Sequence, residues 1–129
     1  MQNISPHFDF LFNNLNKISY IFIDPTHLGK VNQKMADFCS YKISELEGSS
    51  IDLILDQKEV EIVRNFNKKI FEDGLRRSAK MEIEINKELY TIEVDTIPHH
   101  NQQGEVDFLL CLIFVLSFCR FWVFPNQKP

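Results

Sequence analysis

A chain of 129 residues has room for one hydrophobic core and is too short for two ordinary domains. Its apolar fraction of 44% and charged fraction of 25% are the usual soluble globular mixture. A net charge of −4, with basic residues scattered apart from Arg76, Arg77 and Lys80, gives nucleic-acid binding through counterion release no electrostatic support.

Ser5-Pro6 reads as a helix start, Ser as cap and Pro at the first helical position, where its missing amide costs nothing. Phe8, Leu11, Phe12 and Leu15 then form one apolar stripe, so residues 1–17 are expected to be an amphipathic flanking helix. The run Ile18 to Ile23 reads as a buried strand ending in a turn at Asp24-Pro25, and Leu28 to Val31 as a shorter second strand. Asn32 is a good N-cap for a short helix carrying Met35, Ala36, Phe38 and Cys39. Ser44 and Glu47, three apart, read as a capping box for another, and Gly48 stands where a left-handed residue is needed.

Ser50 can cap a brief helix through Ile51, Leu53 and Ile54. Asp56 and Glu59 form a further box that opens the longest helix. Val60, Ile62, Val63, Phe66, Ile70 and Phe71 line one side of it. Lys58, Glu61, Arg64, Lys68 and Lys69 cover the other, and Gly74 closes it. From Ala79 the period becomes two: Met81, Ile83 and Ile85 alternate with Glu82 and Glu84. Asn86-Lys87-Glu88 is a hairpin turn, and Tyr90, Ile92 and Val94 return against Thr91, Glu93 and Asp95. Pro98 is expected to end that strand before a polar loop "HHNQQG". Val106 to Val115 is the last strand, apolar on both faces. Helices and strands segregated in this way indicate an α+β fold.

The segment holding Asn32, Ala36, Phe38, Tyr41, Glu45, Leu46 and Gly48 resembles the centre of a PAS domain, and the order of elements fits from about Phe8 to Ile113. Where that family often has Gly just before the Tyr, this chain has Ser40. The resemblance implies a five-stranded antiparallel sheet in strand order 2-1-5-4-3, with helices on one face and a cavity between the long helix and the sheet. It also implies a sensory role exerted through the sheet and flanking helix, and frequent dimerisation. Residues 18–113 would be the sensory domain and residues 114–129 an atypical apolar tail.

Each cofactor of such domains demands particular residues. Haem needs an axial ligand, usually His, on or beside the long helix, but the histidines are His7, His27, His99 and His100. A covalent flavin needs Cys with Asn and Arg neighbours after the Gly, where this chain reads "SSIDLILD". Both are disfavoured, leaving a non-covalent small ligand. His99-His100 lack a third metal ligand and read as a solvated loop. Glu82 and Glu84 mark the wet side of the sheet. With no Ser-His-Asp or Cys-His order, phosphate loop or zinc motif, the chain reads as a non-enzyme. Phe38, Val63, Phe66, Ile70, Ile83, Ile92 and Val94 are expected between the long helix and the sheet, either filling the space or leaving a pocket for a small apolar or aromatic ligand.

On the last strand, Phe108, Leu110 and Leu112 fall on one face and Leu109, Cys111 and Ile113 on the other. The second set is assigned to the outer face. With Phe8, Leu11, Phe12 and Leu15 it would form a homodimer interface. Phe114, Leu116, Phe118, Phe121 and Trp122 add apolar surface. The uncharged run Phe108 to Cys119 is shorter than the ~20 residues of a bilayer span, and the sheet needs its first half, which argues against a membrane anchor. The pattern after Ile113 is instead what a frameshift in a longer signalling protein would produce. Cys39, Cys111 and Cys119 lie far apart without metal spacing, and the N-terminus lacks a signal-peptide pattern, so reduced thiols in the cytoplasm are expected. Three readings compete: a ligand-binding sensory module, a ligand-free dimerisation module and, less favoured, a membrane-tethered protein.

Overall fold

The computed structural model describes residues 10–12 and 14–120. Residues 10–12 are helical. They are followed by β1 (Ile18–Phe22), β2 (Leu28–Val31), α1 (Gln33–Cys39), α2 (Ile43–Leu46), a 3-10 turn (Ile51–Leu53), α3 (Gln57–Asp73), β3 (Arg77–Ile85), β4 (Glu88–His100) and β5 (Val106–Arg120). The strands form one five-stranded sheet in the order β2-β1-β5-β4-β3, with every pairing antiparallel. Ser5-Pro6, Phe8, Phe121 and Trp122 lie outside the described residues.

Capping fixes the helices to the sheet. Asn32 Oδ1 accepts the Met35 N–H at 3.0 Å and the Ser19 N–H at 3.2 Å, while Nδ2 donates to the Lys17 carbonyl at 2.7 Å. One buried side chain thus starts α1 and ties it to β1. The Ser44–Glu47 box does not form. Glu45 Oε1 accepts the Lys42 N–H at 2.8 Å instead, and Glu47 Oε2 accepts the Val31 N–H of β2 at 3.2 Å. Gly48 takes φ +85 as expected, and Ser40, in glycine's usual place, holds a left-handed φ of 62.

The box that opens α3 is present. Asp56 Oδ1 accepts the Glu59 N–H at 2.7 Å, and Glu59 Oε1 accepts the Asp56 N–H at 3.1 Å. The second oxygen of Glu59 accepts the Glu84 N–H on edge strand β3 at 3.1 Å. Gly74 ends the helix at φ +70 with its N–H on the Ile70 carbonyl at 2.8 Å. Asn86 and Lys87 make the β3–β4 turn with φ 54 and 65, the left-handed pair that a two-residue hairpin requires.

Strand ends and faces depart from the sequence reading. β4 runs through Pro98 to His100, because β3 pairs with it only as far as Thr96. Beyond that point β4 is an edge, where a missing amide is tolerated. His99 is therefore not in a loop: it stacks on Phe108 at 4.5 Å, with Nδ1 2.8 Å from Asp107 Oδ1. β5 continues past Ile113 to Arg120, so residues 114–120 belong to the sheet and pair with β4 from Glu93 back to Glu88.

The two faces of β5 are reversed relative to expectation. β5 sets Cys111 opposite Tyr20, Leu109 opposite Phe22 and Ile113 opposite Ile18. Leu109, Cys111 and Ile113 are buried in the main core with Met35, Leu46, Val60 and Ile70 from the helices, and so they are not on the outer face. Phe108 and Leu110 turn outward and join Phe12 and Ile21 in a second, smaller cluster. A strand apolar on both sides carries no period-2 signal to say which side faces inward. Of the N-terminal stripe, Phe12 is seated, whereas Leu11 and Leu15 are exposed.

Candidate functional site

Two adjoining cavities lie between the helices and the inner face of the sheet, one under α1, the 3-10 turn and Val63, the other under α3. The first, about 40 Å³, is lined among others by Phe38, Cys39, Val63, Ile83, Ile92 and Val94. The second, about 80 Å³, lies closer to α3 and is lined by Val63, Phe66, Asn67, Met81, Val94 and Thr96, together with Tyr20 and Cys111. Tyr20, Phe22, Val63, Met81 and Val94 border both. Of the expected pocket residues, Phe38, Val63, Phe66, Ile83, Ile92 and Val94 line a cavity. Ile70 lines neither, being wholly buried in the core beside them. Phe38 is held by an edge-on contact with Tyr90, ring centroids 4.8 Å apart.

The cavity walls are apolar except at four buried polar side chains, Tyr20, Asn67, Thr96 and Cys111, and at the exposed Lys80. Thr96 Oγ1 donates to Cys111 Sγ at 3.8 Å, and Tyr20 stands opposite the same residue on β1. Burial, more than any neighbour, pushes the Cys111 thiol up to about 12 and the Tyr20 phenol well above its ordinary value. Both are neutral across the physiological range. Asn67, only 2% exposed, donates from Nδ2 to the Pro25 carbonyl at 3.0 Å, which ties α3 to the β1–β2 turn. Sequence reading missed Asn67. Its signal was present: Val60, Val63, Asn67 and Ile70 follow one helical stripe, so an Asn there is aimed at the core.

Cys39 lies in the main core, its thiol raised to about 12 by burial. Among the described residues no group of His, Cys, Asp and Glu side chains is placed to hold a metal ion. His99 and His100 stand at the far end of β4, away from both cavities. No described helix is long and apolar enough to cross a membrane.

The histidine kinase family model matches residues 1–70, from the N-terminus into α3. The chain belongs to the histidine kinase family. No curated protein matches it significantly in sequence. Solved structures identify the fold of this histidine kinase family member as that of a PAS domain. The PAS domain of an HTR-like protein from Haloarcula marismortui is 22% identical, with TM-score 0.68 over 89% of this chain and 93% of that one. The PAS domain of Bordetella pertussis BvgS is 12% identical, with TM-score 0.74 over 88% of each chain. The PAS domain of the Cronobacter turicensis quorum-sensing receptor RpfR, solved in complex with C12:0, is 16% identical, with TM-score 0.67 over 81% of this chain and 97% of that one.

Proposed function

We propose that this chain is a sensory module of a histidine kinase signalling protein, which receives a small molecule between α3 and the sheet and passes its state on through the sheet and the N-terminal helix. The observation that carries the reading is the pair of adjoining, mainly apolar cavities between the helices and the sheet, which six of the apolar pocket residues expected from the sequence line. On this reading the PAS fold senses and does not itself catalyse. The PAS domain of RpfR in complex with C12:0 supports the principle that such a fold can hold a small molecule. The test is native mass spectrometry of the purified full chain, before and after incubation with a library of small apolar and aromatic compounds. A stoichiometric adduct is expected; a chain that binds none of them at millimolar concentration would remove the sensing role.

A second reading, a ligand-free dimerisation module, is favoured by the outer face. There Phe12, Ile21, Phe108 and Leu110 cluster, with exposed Leu11 and Leu15 beside the seated Phe12 in sequence. Sedimentation at tens of micromolar separates the two readings: a stable homodimer with no bound small molecule supports the second. A monomer that gains a ligand supports the first alone.

A further inference from the structure

The larger cavity has a polar end made from three strands and a helix. Tyr20 on β1 and Thr96 on β4 each stand opposite Cys111 on β5, so the three side chains share the inner face. The Thr96 hydroxyl donates to the Cys111 thiol at 3.8 Å, and the Tyr20 side chain stands across from the same thiol. A thiol sulfur is a weak acceptor, so two buried hydroxyl donors are left with a poor partner. Asn67 lines the same cavity. Its Nδ2 is fixed on the Pro25 carbonyl at 3.0 Å, and no described residue donates to its Oδ1, although an amide oxygen carries two lone pairs. The cavity therefore combines two under-used donors and one unused acceptor with walls of Val63, Phe66, Met81 and Val94. The one charged residue on the lining, Lys80, is exposed.

We propose that this cavity selects a small uncharged molecule made of an apolar ring or short chain bearing one hydroxyl. Its oxygen accepts from Tyr20 and Thr96, and its hydrogen is donated to Asn67 Oδ1. A carboxylate is disfavoured because the polar end holds no buried cation to offset its desolvation. Size sets a second limit. A cavity of about 150 Å³ holds a benzene, and the spaces here of about 40 and 80 Å³ are divided by shared side chains, Val63 and Met81 among them. A new rotamer at either would join the two, still short of that volume, so a single ring enters only with a small outward shift of the walls and is about the largest occupant.

This inference rests on the ligand-sensing reading above, and the experiment separates them. The full chain is titrated with phenol and, separately, with toluene, following the methyl resonances of Val63 and Ile92. Phenol is expected to bind about two- to tenfold more tightly than toluene, the yield of a net hydrogen bond or slightly more. Thr96→Val and Tyr20→Phe should each bring that ratio close to one while leaving toluene's affinity in place; if one variant fails to fold, the other carries the test. Equal binding of the two ligands by the parent chain overturns the hydroxyl selection and leaves the cavity reading intact, as does a phenol preference that survives both substitutions. Such equality is also the result expected if a water occupies the polar end. If neither compound shifts those methyls up to its solubility limit, the ligand-sensing reading fails along with this one.

Discussion

The two halves of β5 are similar in composition and opposite in situation. From Leu109 to Ile113 the strand runs between β1 and β4, covered by the helices on one face, while Phe12 clusters with Phe108 and Leu110 on the other. From Phe114 onward β1 has ended, β4 is the only partner strand among the described residues, and Val115 and Leu116 are 43% and 48% exposed. A bulge marks the change: Thr91 faces Ser117 and Ile92 faces Val115, leaving Leu116 unpaired. An apolar sequence is thus core in one half and surface in the other. The difference lies in how many neighbours each half has, a property of the fold and not of the residues.

The largest expected effect tests the inner half. Leu109→Ala should destabilise the protein by roughly 2–5 kcal/mol in urea unfolding, through lost burial and the cavity left behind. Leu116→Ala should stay within about 0.5 kcal/mol, as an exposed change does. Comparable losses for the two would mean that the outer half is as tightly packed as the inner, and the contrast would collapse. Ending the chain at Ile113 sharpens the boundary. Amide exchange in residues 88–93 should quicken by tenfold or more, because these lose β5, while residues 94–97 keep their protection. Uniform acceleration along β4 would show that the two halves unfold as one unit.

Smaller effects probe the junction and the open edge. Lys17 places its Nζ 4.6 Å from the centroid of Phe114, a cation over a ring at the first residue beyond β1's reach. Lys17→Ala should cost about 0.5–1 kcal/mol, and Lys17→Arg should retain most of that. The smallest change in stability is expected for Leu116→Lys, near zero. Its effect should be on association: a charge on a free edge opposes strand-to-strand pairing, so light scattering of concentrated samples should fall. If scattering is unchanged, the outer half of β5 is not where chains meet.

Where several local signals agreed, the sequence was sufficient. Asp56, Glu59 and Gly74 bracket α3 because a capping box and a left-handed end depend on neighbours within one turn. The strand order came with the PAS resemblance. The reversal of β5 had a different cause: Leu109, Cys111 and Ile113 are as apolar as Phe108, Leu110 and Leu112, so alternation carried no choice of face. Ser44–Glu47 has capping-box spacing, but Glu47, at the end of α2, is drawn to Val31 on β2, a partner sixteen residues away that no local rule anticipates. Apolar periodicity reached Phe38, Val63, Phe66, Ile83, Ile92 and Val94, a minority of the cavity lining. Its polar end was not legible, because Tyr20, Thr96 and Cys111 come from three strands whose register only the assembled sheet defines.

The two oxygens of Glu59 have a mechanical consequence. One finishes the first turn of α3 and the other occupies an amide of the sheet's free border at Glu84, so the start of the helix acts as a latch on β3. The middle of α3 is fastened separately, by Asn67 to Pro25. Raising the helix to admit a guest would therefore release the latch first and leave the pin at Asn67 as the pivot. Glu84 N–H would then face outward, bonded only by water. On the proposed sensing reading, an occupied cavity would then be legible from outside as one unsealed amide on the sheet border.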